Sequence, residues 1–119
     1  MSAPLPSNEA ERLAALHATG LLDSLPEAAF DDLVQLAAFI CQTPVSLVSL
    51  VDGDRQWFKA KQGTDVPETP REMSFCAHAL LQPDELLVVP DAQADARFAN
   101  NALVTGALGI RFYAGMPIK

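Results

Sequence analysis

The chain has 119 residues, half of them hydrophobic and 19% charged, the size and make-up of one globular domain with its own core. Its net charge of -7 argues against nucleic-acid and anionic-membrane partners, which need a basic patch. No stretch approaches the ~20 apolar residues of a spanning helix. The polar start MSAPLPSNEAER lacks a signal-peptide core, so a cytoplasmic setting with reduced thiols is expected.

Residues 1–7 read as a flexible tail, and residues 8–119 as a single domain. Asn8 and Glu11 have capping-box spacing ahead of Ala10, Leu13, Ala14 and Leu16, a helix that Gly20 ends. Ser24 and Glu27 form a second such box, with Pro26 in the first turn. Phe30, Leu33, Val34, Ala37, Ile40 and Cys41 mark the apolar stripe of this second helix. Residues 44–51, PVSLVSLV, are apolar on both alternating faces, the pattern of a strand covered on both sides. Asp52-Gly53-Asp54 signals a hairpin, and RQWFKAK, 55–61, returns. Residues 63–70 form a polar loop with two prolines.

Ser74 caps a short helix over 75–81. Pro83 and Asp84 turn the chain into a third strand, 86–89, ended by Pro90. Residues 92–105 read as a loop with a helical turn. A fourth strand runs over 110–118, weakened at its far end by Gly115 and Pro117. The order α-α-β-β-α-β-α-β predicts an α+β domain. It has one antiparallel sheet, helices on one face, and a loop and short-helix layer over the other.

The segments NEAERLAALHATGLLDSLPEAAFDDL, PVSLVSLVDGDRQWFKAKQG, ETPREMSFCAHAL, VVPDAQADARFANNALVTG and IRFYAGMPIK together carry a family likeness. The chain closely resembles a GAF domain of the subgroup found near the N-terminus of bacterial sensor histidine kinases and cyclic di-GMP enzymes. The resemblance implies a GAF-like (profilin-like) fold and a regulatory sensor of small molecules. It also implies a homodimer formed through the N-terminal helices and an output kinase or cyclase domain in a longer parent. GAF domains continue with a further hairpin strand, central in the sheet, and a C-terminal helix. Both are missing before Lys119, so the resemblance implies a domain incomplete at its C-terminus. Such a chain alone is expected to aggregate unless a partner or a second copy supplies the strand.

Ligand-binding candidates cluster between Arg71 and Tyr113. Cys76 lies in the first turn of the 75–81 helix, where free N–H groups favour a thiolate, or it is a small buried hydrophobe. His78, two residues on, points about 200° away on an ideal helix, so the two do not address one ligand. It either contacts a ligand or caps a loop. Arg111, in a strand beside Tyr113, suits a carboxylate or phosphate; alternatively it pairs internally with Asp91 or Asp95. Among the aromatics Trp57, Phe58, Phe75, Phe98, Phe112 and Tyr113, most are core. One or two lining a cavity, Trp57 or Tyr113 first, suit a planar ligand. The candidate set is Trp57, Phe75, Cys76, His78, Asp91, Phe98, Arg111 and Tyr113.

Cys41, Cys76, His17 and His78 lack metal-ligand spacing, so no metal is expected. Bilin-binding relatives have cysteine directly followed by histidine; Ala77 intervenes here, which argues against a covalent bilin. No GxSxG, P-loop or GxGxxG occurs, so no enzymatic activity is expected of these residues. Three readings follow. The chain is a sensory module with an unidentified ligand. It is instead a ligand-free dimerisation scaffold or a non-functional fragment. Or it is a thiol-based redox sensor through Cys76.

Overall fold

The computed structural model describes residues 3–106 and 109–117. They gather into two compact units, one over 8–69 and one over 70–119 together with 1–7.

In the first unit, helix α1 spans Glu9–Ala18. Asn8 holds the N-cap position without a side-chain bond, so the expected box with Glu11 does not form. Glu9 pairs instead with Arg12 at 2.8 Å, and Arg12 also donates to the Val51 carbonyl at 2.6 Å. Gly20 ends the helix at φ +67°, as expected of a residue that tolerates the left-handed region.

Helix α2 spans Ala28–Cys41, and its N-cap is Glu27 rather than Ser24. The Ser24 hydroxyl is committed elsewhere: it donates to the Leu21 carbonyl and accepts from Lys59 Nζ at 2.7 Å. The stripe on α2 is also narrower than expected. Val34 and Ala38, one turn apart, are the buried pair, while Leu33 and Ile40 are 54% and 66% exposed and Cys41 is exposed too. Val34 and Ala38 face a ladder only three strands wide, which leaves the flanking positions uncovered.

Strands β1 (Ser46–Val51) and β2 (Arg55–Gln62) form an antiparallel hairpin. The Asp52 N–H closes its turn on the Arg55 carbonyl at 2.8 Å. Leu47 faces Lys61 and Leu50 faces Trp57, with a bulge between Val48 and Ser49. A third strand, β3 (Glu68–Pro70), follows β2 in the order β1-β2-β3, within the segment expected to be a loop. Its approach is marked by the Phe58 N–H donating to the Pro67 carbonyl at 3.1 Å. Gly63, at φ +86°, lies against the Pro44 backbone.

Arg55 ties this unit together. It donates to both Asp23 carboxylate oxygens at 2.7 and 2.9 Å, to Glu68 at 3.1 Å, and approaches Asp52 at 3.5 Å. Asp52 also meets His17 Nε2 at 2.9 Å. The Arg55 bond holds the Asp23 carboxyl below its ordinary 3.8, and the His17 contact, with Gly53 N–H and Arg55, does the same for Asp52. Lowered carboxylate values stabilise the folded state above 3.8, and that contribution is lost as pH falls through the folded values. Urea midpoints are therefore expected to drop between about pH 4 and pH 2, and Arg55→Met is expected to flatten that drop. An equal drop in the variant would rule the cluster out as its source.

In the second unit, a 3₁₀ turn over Arg71–Met73 precedes helix α3, Phe75–Ala79. Ser74 caps α3 as expected, accepting from the Ala77 N–H at 3.0 Å, and the helix ends two residues before 81. Strands β4 (Leu87–Val89) and β5 (Tyr113–Gly115) pair antiparallel, Val88 facing Ala114. Strand β5 is thus shorter than the expected 110–118, of which Ile118 lies outside the described residues. Helix α4 (Ala102–Thr105) is the helical turn expected in 92–105. Asn101 caps it, accepting from the Leu103 N–H at 2.8 Å, and donates to the Met73 carbonyl at 3.0 Å. Phe75, Val89, Ala92, Phe98 and Val104 form the core of this unit.

The α+β class with antiparallel strands is as expected. Among the described residues the strands form two ladders, β1-β2-β3 and β4-β5, rather than one sheet.

Candidate functional site

Seven of the eight candidate residues fall in the second unit. Trp57, the eighth, is half-buried on β2 of the first.

Helix α3 presents Phe75 and His78, three residues apart, to Phe98, and Cys76 to Tyr113. Phe75 is 3% exposed and stacks on Phe98, ring centroids 4.1 Å apart and planes 9° from parallel. Tyr113 tilts against the same Phe75 ring at 5.1 Å. His78 meets Phe98 edge-on at 4.7 Å, and the Cys76 Sγ lies 3.0 Å from the Tyr113 hydroxyl. Cys76 and His78 thus contact different partners, as their helical spacing requires. These rings fill space rather than line it: Phe98 is fully buried.

Tyr113 sits in β5 with its ring against Gly115, two residues on and on the same face of the strand. A glycine there leaves room for the ring, which explains a residue that otherwise weakens a strand. Burial, reinforced by Cys76, pushes the Tyr113 phenol well above its ordinary 10.0. Its stabilising effect holds below that unfolded value and is lost as pH rises beyond it. Tyr113 is the one tyrosine of the chain, so phenolate absorbance reads it directly. The native protein is expected to show none at about pH 11, where urea-unfolded protein is mostly ionised. Equal ionisation of both would refute a buried phenol.

Polar groups surround the aromatic cluster. Arg97 grips Asp95 with two bonds, at 3.0 and 2.8 Å, and lies over the Phe98 ring at 5.0 Å. The Arg97 bond holds the Asp95 carboxyl below its ordinary range, and Asp95 in turn raises Arg97. Arg111 does not pair with Asp95, which Arg97 has taken. Asp91 is exposed and accepts from the Gln93 N–H at 3.0 Å. Arg111 is exposed and donates to the Val104 and Ile110 carbonyls at 2.9 and 3.1 Å. Phe112, expected near the sheet, is 54% exposed.

The sequence reading missed two features. One is the Asp95–Arg97 clamp, signalled only by a spacing of two. The other is Lys59, whose ammonium is fully buried in the first unit. It donates to Ser24 Oγ and to the Leu25 carbonyl, and pairs with Glu27 at 2.6 Å. Beside it a groove of about 350 Å³ opens between α2 and β2. Among the described residues the two cysteines form no disulfide; Cys41 is exposed and Cys76 half-buried. Among the described residues no three His, Cys, Asp or Glu side chains converge as metal ligands, and no helix is long and apolar enough to cross a membrane.

Comparison with known proteins gives the arrangement a family. The chain is 42% identical over 115 residues to a cyclic di-GMP phosphodiesterase of Pseudomonas aeruginosa. That match covers 97% of this chain and 19% of the relative, so the chain spans about a fifth of that protein's length. The GAF domain family matches residues 25–119, both ladders and the aromatic cluster included, and the chain therefore belongs to the GAF domain family.

Proposed function

We propose that this GAF domain is the sensory module of a cytoplasmic bacterial signalling protein. It binds a small molecule and sets the activity of an output domain in a longer parent, a cyclic di-GMP enzyme or a histidine kinase. The observation that carries this reading is the match of nearly the whole chain to a fifth of a cyclic di-GMP phosphodiesterase. In the second unit the side chains suited to ligand contact are Cys76, His78, Asp91, Arg111 and Tyr113, around the packed Phe75 and Phe98. Trp57 stands apart from these, as a separate candidate within the first unit. The module itself carries no catalysis.

A chimera tests the proposal. The matching segment of the Pseudomonas relative is replaced by this chain, and cyclic di-GMP hydrolysis is measured with and without a panel of nucleotides, amino acids and organic acids. A change of about threefold or more with one compound, abolished by Arg111→Ala, is expected. Hydrolysis insensitive to every compound, and equal to that of a protein lacking the segment, would sink the idea.

One observation favours a second reading, a dimerisation module. Helix α2 exposes Leu33, Leu36, Phe39 and Ile40, and Phe39 is 81% exposed. In this reading the helices of two copies pair, and Phe39→Glu converts a dimer to a monomer in sedimentation. A wild-type monomer would exclude it.

A further inference from the structure

We propose that the groove between α2 and β2 binds a small organic carboxylate, which competes with Glu27 for the buried ammonium of Lys59. The site lies wholly within the first unit and is separate from the aromatic cluster of the second.

The distribution of positive charge is the first argument. The chain carries a net charge of -7 and has three lysines, Lys59, Lys61 and Lys119. Two of the three line this one groove. Lys59 falls at the register shift, between Phe58 and Ala60, where the strand alternation is interrupted, and Lys59 through Gln62 all line the groove. An acidic protein that gathers its lysines at a concave surface favours an anion there.

The bonding of these groups is the second. The side chain of Lys59 is fully buried, yet the side chain of its counter-ion Glu27 is 54% exposed. Glu27 thus carries a carboxylate to the buried ammonium from a side chain half open to solvent, beside the groove that Lys59 and Pro26 line, and a ligand carboxylate would have to replace it there. The other two bonds of Lys59, to Ser24 Oγ and the Leu25 carbonyl, survive the exchange. Lys61 is exposed and available to a second oxygen. Gln35 and Gln62 add amide donors, and Val34 and Ala60 an apolar floor, within a volume suited to a small metabolite. Asp31 is the one acid in the lining, and the carboxylate of Glu27, already seated on Lys59, marks a carboxylate as the fit.

The test is isothermal titration of the full chain with succinate and, separately, inorganic phosphate. Saturable succinate binding is expected in the wild type. Lys61→Ala should weaken it about fivefold, the worth of one exposed ion pair. Glu27→Gln should tighten it by a similar factor, because a neutral amide oxygen competes for Lys59 less well than the carboxylate it replaces. Both positions are solvent-exposed, and circular dichroism checks that each variant stays folded. Absence of saturation up to about 50 mM in wild type and Glu27→Gln overturns the proposal. So does a Glu27→Gln variant that binds no more tightly than wild type, or a Lys61→Ala variant that binds as well. Phosphate binding as tight as succinate overturns the carboxylate assignment.

Discussion

Phe98→Ala is expected to lower stability by about 3–5 kcal/mol, the largest effect of any single substitution in the second unit. Phe98 is fully buried and holds three neighbours at once. Phe75 stacks on its face, His78 meets it edge-on, and the Arg97 guanidinium lies over the ring. Truncation removes the transfer energy of a benzyl group and leaves a cavity that β4 and α4 cannot close without moving Val89 and Val104, themselves almost fully buried. Urea denaturation reads the loss directly. Arg111→Ala serves as the comparison, an exposed side chain whose two bonds go to carbonyls, with an expected cost of about 1 kcal/mol or less. If the two variants lose equal stability, the aromatic cluster is not the core of its unit.

Gly63→Ala is expected to cost about 3 kcal/mol through a different cause. At φ +86° an L side chain is already strained. The added Cβ would also fall on the Pro44 carbonyl, a backbone group that no rotamer change can move aside. Gly63 follows the last residue of β2, and Pro44 precedes β1, so relief of the clash requires the open end of the hairpin to splay. The Ser46–Gln62 pair would be the first lost. Thermal melting checks the magnitude. Gly53→Ala, with open space around its Cβ and no positive φ, should change melting little.

The two variants bear on how much was legible in the sequence. The hairpin was readable because Asp-Gly-Asp is a local signal between two apolar runs, and the Ser74 cap because its bond closes within three residues. The cap expected at Ser24 did not form. Its hydroxyl is taken by Lys59, 35 positions away, and no local pattern announces a buried lysine. Strand β3 was hidden for the same reason, since its pairing depends on β2 while its own residues read as a proline-bearing loop. At the candidate site, the divergence of Cys76 and His78 followed from helix geometry alone. The partner of Arg111 did not, because Asp95 had a nearer arginine two residues along the chain. Local spacing carried the turns and caps; charge partners required the fold.

The division into two units has an optical consequence. The sole tryptophan, Trp57, stands in one unit and the sole tyrosine, Tyr113, in the other. Each half of the chain therefore has its own chromophore, with no labelling and no mutation. Tryptophan emission follows the loss of the β1–β2 hairpin, and tyrosine absorbance follows the loss of the Phe75–Phe98 stack. Coincident curves would mean the two halves melt as one body, and separated curves would give the order in which they come apart.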